Sequence, residues 1–272
     1  MEKTEYMESK SFSLSRFTSL LRSDIIVNRS HYLTLALATI GCFAAVAIFA
    51  SINEVNISNE FNSADSRNVT VVMMSFFLTV LFSLGLTVFG SLTFSSMSSK
   101  SSRISTLMQP ASLSEKFLLR AFIYDICGLI LLVVGVIVAI LISQLAFGGG
   151  KILMNILDEV MELKQTPYLV CMAGLSFLSS NAMYVLGSAL WPKLSWLKTW
   201  LVSMALQWIF SLIFMTAIFS GLNMNFVEKI IKSPESVFWF ITACQVIIII
   251  AFWWAAWWRF RTTQIIQKFM KK

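Results

Sequence analysis

Charged residues are scarce in this chain. Asp, Glu, Lys and Arg make up 13% of its 272 residues, whereas a soluble domain has about 25%. Histidine occurs once, at His31, and one imidazole cannot supply the two or three nitrogen ligands that most catalytic zinc sites use. Hydrophobic residues reach 57%, with a mean hydropathy of +0.76. This composition excludes an ordinary water-soluble enzyme and predicts a membrane protein.

Cysteine is also infrequent. Cys42, Cys127, Cys171 and Cys244 fall in four different apolar segments, and none belongs to a C-x-x-C pair. We expect these thiols to be free and buried, and we expect no metal site. The first thirty residues are too polar for the apolar segment of a signal peptide, so we expect the first span to be an uncleaved anchor.

Long apolar runs occur six times. In chain order they cover Tyr32 to Ile52, Val69 to Leu92, Ala121 to Phe147, Tyr168 to Trp191, Thr199 to Ser220 and Val237 to Trp258. A helix needs roughly 20 residues to cross a hydrocarbon core about 30 Å thick, and each run is that long. Because lipid offers no partners to backbone groups, we predict an all-α, polytopic membrane protein whose six transmembrane helices form one domain over residues 1–272.

Lys and Arg are distributed unevenly between the connections. With a cytoplasmic N-terminus, the inner segments hold Lys3, Lys10, Arg16, Arg22, Arg29, Lys100, Arg103, Lys116, Arg120, Lys193, Lys198, Arg259, Arg261, Lys268, Lys271 and Lys272. The outer segments hold Arg67, Lys151, Lys164, Lys229 and Lys232. The positive-inside rule therefore predicts that both termini are cytoplasmic. It also explains the net charge of +7 without a nucleic-acid partner.

Two segments outside the spans are amphipathic. In residues 1–31, Phe17 and Leu21 lie on one helical side, Arg22 lies on the other, and Arg29 precedes the first span. This pattern predicts a helix at the cytoplasmic membrane interface, with a frayed basic tail as the alternative. Residues 148–167 begin with three glycines, show the same periodicity, and predict a second amphipathic helix on the outer surface.

The inner segment over residues 93–120 contains a signal for the start of a helix. Pro110 disfavours helical geometry at the residue before it. Ser112, followed three residues later by Glu115, has the pattern of a capping box. A helix from there to Ala146 would be about 50 Å long, so its first turns would extend beyond the hydrocarbon core.

The exposed first turns of this helix suggest two interpretations. The apolar Phe117, together with the charges of Glu115 and Lys116, is suited to docking in a groove on another protein. Alternatively, the helix end merely meets the lipid headgroups.

The letters P-A-S-L-S-E-K-F at Pro110–Phe117 resemble a known segment. They are similar to the L-P-A-S-x-x-E-K-F segment between the second and third spans of membrane subunits of type-2 ABC exporters, although Gln109 replaces the apolar residue. The approach to the membrane over Phe17–Arg29 and the six-span layout also resemble these permeases.

The resemblance implies a transport subunit rather than an enzyme. The N-terminal helix would be a connecting helix, and the inner segment would carry a coupling helix seated on a separate ABC ATPase subunit. Its coupling residues would be Pro110, Ala111, Ser112, Glu115, Lys116 and Phe117. ATP and Mg would bind to the ATPase and no cofactor to this chain. Two membrane subunits, identical or different, would export a lipid, peptide or drug-like cargo across a bacterial inner membrane.

Few large polar side chains occur inside the apolar runs. Asp125 is the only carboxylate, and we expect it at the cytoplasmic interface in an ion pair with Lys193 or Lys198, with a proton or substrate role as the alternative. The remaining ones are Gln144, Asn181, Gln207 and Gln245. Their default use is interhelical hydrogen bonding, and the alternative is that they line a path between subunits.

Two other classes of function remain open from the sequence. The first is a stand-alone membrane scaffold or an immunity-type protein that works without ATP. The second is an intramembrane enzyme, which the chain supports poorly because no catalytic residues can be assigned. It has no serine in a G-x-S-x-G context and no paired intramembrane acids.

Overall fold

The chain is almost entirely helical in the part described by a computed structural model, which comprises residues 12–58, 63–98, 111–147, 167–219 and 234–269. No strand occurs within those ranges. The helices are α1 (Leu14–Val27), α2 (Arg29–Ser58), α3 (Ser63–Leu92), α4 (Leu113–Ala121), α5 (Gly128–Phe147), α6 (Pro167–Leu190), α7 (Ser195–Phe219) and α8 (Pro234–Phe269). A short 3₁₀ turn covers Ser95–Met97, and a π-helical segment over Phe122–Cys127 joins α4 to α5.

Every predicted apolar run coincides with helix, which confirms the all-α prediction for the described residues. Five helical segments are long and apolar enough to span a membrane, as expected of a multi-pass membrane protein. They are Arg29–Ile52, Val72–Leu92, Leu113–Leu145, Ser195–Ile213 and Phe238–Thr262. Helix α6 matches the fourth predicted run but is not among these five, and it carries the polar residues Ser176, Ser179, Ser180, Asn181 and Ser188. The sixth crossing and the sidedness of the termini stay predictions.

The chain divides into two compact units, of which the first comprises Met1–Phe89 and Ser99–Gln165. Its core includes the fully buried Phe43 of α2 and Leu132 of α5. Helices α2 and α5 approach closely because Gly135 has no side chain. A Cβ atom there would lie 2.6 Å from the Phe43 ring, which is well inside van der Waals contact. By contrast, a Cβ atom at Gly41 would meet nothing within 4 Å.

The third predicted span is a continuous helical segment with a π-helical interruption. Leu113–Leu145 contains 33 residues, which correspond to about 50 Å. Within it, the chain leaves α geometry over Phe122–Cys127 and returns to it at Gly128. Segments of π-helix are rare and frequently occur at functional sites. The sequence predicted the length of this helix but not the interruption.

The second unit comprises Gly90–Ser98 and Thr166–Lys272. The chain that leaves α3 is buried here, with Thr93 at 0% and Phe94 at 1% exposure. The Phe94 ring lies 5.4 Å from the Phe260 ring of α8, centroid to centroid. The Ser195 hydroxyl donates to the Ser91 carbonyl over 2.9 Å. These contacts fix the end of α3 against α7 and the first residues of the predicted coupling segment against α8.

Some expectations are corrected or lie outside the described residues. The four thiols are free, but the expectation that they are buried is wrong: Cys42, Cys127 and Cys171 are exposed and Cys244 is half-buried. The predicted outer helix over 148–167 falls outside the described residues except for its last position.

Candidate functional site

One carboxylate joins the N-terminal ends of α1 and α4. Glu115 lies in the first turn of α4 and is 0% exposed. Its Oε2 accepts a hydrogen bond from the Ser112 backbone N–H over 2.9 Å, and the Ser112 hydroxyl accepts from the Glu115 N–H over 3.3 Å. The predicted capping box is therefore confirmed. The other oxygen, Oε1, accepts from the Ser13 backbone N–H over 2.9 Å.

Ser13 is the N-cap residue immediately before α1, and its own side chain makes no capping hydrogen bond. The first backbone N–H groups of a helix have no partner within the helix, and a negative charge near them is favourable. Glu115 meets this need in two helices at once. Its charge is balanced by Arg16, whose Nη2 lies 3.3 Å from Oε1.

A second ion pair joins the C-terminal ends of the same two helices. Arg120, in the last turn of α4, has its Nη2 atom 3.5 Å from Oδ1 of Asp24. Asp24 is 6% exposed and Arg120 is 9% exposed. Asp24 also accepts hydrogen bonds from the Asn28 amide over 3.1 Å and from the Tyr32 hydroxyl. A buried carboxylate is tolerated here because several donors surround it.

Aromatic contacts lie beside these two ion pairs. The Phe17 ring of α1 meets the Phe122 ring edge to face, with 6.2 Å between centroids. The Tyr32 ring of α2 meets the Tyr124 ring in the same manner at 6.3 Å. Both partners belong to the π-helical segment. Helix α1, the start of α2, α4 and the π-helical segment thus form one packed cluster, which we call the α1–α4 clamp.

The predicted coupling residues differ in their exposure. Pro110 lies outside the described residues, and Ala111 and Ser112 are half-buried. Glu115, Lys116 and Phe117 are buried within the chain at 0%, 6% and 6% exposure. A side chain without exposed surface acts on a partner through the helix that it holds, rather than by touching the partner. Leu118, 46% exposed, is the large apolar side chain that α4 presents outward.

The predicted interfacial helix is present as α1. Phe17 and Leu21 are half-buried, while Arg22 and Arg29 are exposed. The same apolar stripe continues to Ile25, which is 47% exposed. The middle of the apolar face of α1 therefore packs on the π-helical segment through Phe17, and its end at Ile25 is exposed. Its location at a membrane interface stays a prediction.

The polar residues of the spans are dispersed. Asp125 is half-buried in the π-helical segment, and its ion pair with Lys193 or Lys198 stays a prediction. Gln245 of α8 donates to the Ser176 hydroxyl of α6 over 3.2 Å, which is the interhelical hydrogen bond expected of it. Asn181 is 6% exposed. Gln144 is half-buried and Gln207 is exposed.

Sequence reasoning missed half of the clamp. Ser13, Arg16, Asp24 and Tyr32 were not singled out, although each holds an end of α1. One signal was available, because Asp24 follows Phe17 and Leu21 at the spacing of the apolar stripe. An acid on an apolar face indicates a buried partner.

The clamp uses its charges to hold helices together. Within the described ranges, no three His, Cys, Asp or Glu side chains come together as a metal site requires. Comparison with protein-family models, with curated proteins and with solved structures gives no match to this chain.

Proposed function

We propose that this chain is the membrane-spanning subunit of an ATP-driven ABC transporter, with ATP and Mg bound by a separate ATPase subunit and a second membrane subunit completing the translocation path. One observation carries the proposal: two ion pairs and a shared backbone cap join α4 to α1. Its cargo would be a lipid, a peptide or a drug-like molecule, exported across a bacterial inner membrane.

The two ion pairs provide a route by which force can pass from α4 to α1. A force applied to the start of α4 is shared with α1 through Glu115 at one end and Asp24 at the other. Because α1 continues almost directly into α2, the same force reaches the first span. The third span receives it through the π-helical segment. Two spans would thus move together when a partner pushes on one short helix.

The burial of the coupling candidates refines their roles. Glu115, Lys116 and Phe117 would act as positioning residues that keep α4 in place. The ATPase would instead contact the outward side of α4, where Leu118 is exposed. It would also contact Ala111 and Ser112, which precede α4. A helix presenting an apolar anchor beside polar residues is a common way to dock in a groove.

The experiment is purification of the tagged chain from its native cells in nanodiscs, followed by mass identification of stoichiometric partners and an ATPase assay. We expect an ATPase subunit to co-purify. Replacing the exposed Leu118 by Glu should remove it, because a charge in an apolar groove is costly to desolvate. Leu194→Glu is the matched control, because Leu194 is 71% exposed and lies on the connection between α6 and α7.

The comparison of the two variants decides the interpretation. Loss of the ATPase from Leu118→Glu but not from Leu194→Glu would support coupling through α4. If both variants keep the ATPase, the ATPase binds at a surface other than α4. If no nucleotide-binding subunit co-purifies with the chain, the result would contradict the transporter proposal and favour a stand-alone membrane protein.

A further inference from the structure

Beside the α1–α4 clamp lies a cavity of about 280 Å³. Leu21 and Ile25 of α1 form one wall, and Leu35 of α2 and Leu131 of α5 form others. Tyr32 contributes its ring, while its hydroxyl donates to Asp24 and is thereby occupied. The lining is almost entirely hydrocarbon, and apolar cavities of this kind bind apolar guests rather than water.

The cavity reaches the surface of the first unit. Ile25 is 47% exposed, and Cys127, another lining residue, is exposed. An α-helix with its side chains is about 10–12 Å across, so a recess of this volume is too small to seat a helix of a partner or of a second copy. A segment of one flexible hydrocarbon chain is narrower than a helix and matches the apolar lining of the recess.

Two exposed arginines lie on the helices that line the cavity. Arg22 lies three residues before Ile25 on α1, and Arg29 lies three residues before Tyr32 on α2. Each arginine is therefore within one helical turn of a residue that lines the cavity. Basic residues at the end of a membrane span attract anionic lipid headgroups.

We propose that this cavity is a binding site for one acyl chain of an anionic phospholipid, whose headgroup is held by Arg22 and Arg29. The lipid would fill the space between α1, the start of α2 and the π-helical segment. It would thereby stabilise the clamp from its apolar side. The proposal requires a membrane-embedded chain, but it does not depend on the transporter function.

The first test measures lipid retention. The full-length chain is reconstituted in nanodiscs of phosphatidylglycerol and phosphatidylcholine, and the lipids that survive mild extraction are identified by native mass spectrometry. We expect one phosphatidylglycerol to remain bound. Leu35→Trp, which fills the cavity, should lose it. Leu33→Trp is the control, since Leu33 is 51% exposed on the same helix and does not line the cavity.

Replacing both Arg22 and Arg29 by Gln should reduce retention of phosphatidylglycerol to the level of phosphatidylcholine. Two results would overturn the proposal. One is equal retention by Leu35→Trp and Leu33→Trp, and the other is equal retention of both lipids by the unaltered chain.

A second measurement does not rely on a bulky substitution. Cys127 is kept as the sole thiol by changing the other three to Ser, and its labelling by a maleimide is followed after delipidation. Adding phosphatidylglycerol should slow the labelling on the order of tenfold, because an occupied site shields the thiol in proportion to its occupancy. A chain with Cys42 as its sole thiol should show no change. An unchanged rate at Cys127 would contradict the site.

Discussion

At the residue scale, Glu115 is a fully buried carboxylate that contacts two helices. Its oxygens accept from two backbone N–H groups on different helices, and a guanidinium balances its charge. Removing one partner of a buried ion pair leaves the other groups desolvated and unsatisfied, which costs about 3–5 kcal/mol. We therefore expect Glu115 to stabilise the fold itself, independently of any partner.

We predict that Glu115→Gln lowers the free energy of unfolding by about 3 kcal/mol, at the lower end of that range because Arg16 is partly exposed. Thermal unfolding in detergent measures the effect. Arg261→Gln removes a charge from an exposed position of α8 and should change stability by less than about 0.5 kcal/mol. Equal losses in the two variants would show that Glu115 holds nothing together.

The Asp24–Arg120 pair allows a test by exchange of charges. Asp24→Arg and Arg120→Asp should each destabilise the chain by roughly 3 kcal/mol, because like charges then meet in a buried site. The double variant should recover part of that loss, since opposite charges again face each other. Unfolding of all three variants gives the coupling energy, and additive losses would contradict a direct interaction.

At the element scale, close helix packing depends on small residues at particular positions. Both Gly41 and Gly135 lie on helices that cross the first unit, but only Gly135 faces a neighbouring side chain. In lipid, helices associate through such close contacts because the hydrophobic effect gives no advantage to burying one apolar surface against another. The same residue type therefore has a structural role at one site and none at the other.

We predict that Gly135→Ala destabilises the chain by about 1–3 kcal/mol, because the new methyl group collides with the Phe43 ring. Gly41→Ala should be neutral or stabilising by up to about 1 kcal/mol, since alanine has the higher helix propensity and open space receives its methyl group. The pair is compared by thermal unfolding. A larger loss at Gly41 would contradict the packing of α2 on α5.

At the scale of the whole molecule, the prediction concerns how many helices cross the membrane. Helix α6 has the length of a span but is not among the five described helices that are both long and apolar enough to cross. We predict that it crosses, so that reporter fusions before Phe12 and after Phe269 give the same cytoplasmic signal. Six crossings place both ends on one side, whereas five would place them on opposite sides. Opposite signals would therefore show that α6 does not cross the membrane.

The sequence by itself determined the helices, because their length and their apolar composition are dictated by the bilayer. It also determined the start of α4, because the bonds of the Ser112–Glu115 box are local and span three residues. Tertiary structure alone decided that Glu115 also caps α1 and that Asp24 faces Arg120. These pairs join positions about a hundred residues apart in the chain, so no local periodicity encodes them. The apolar stripe of α1 likewise could not reveal which part of it faces protein, because lipid and protein interior favour the same side chains.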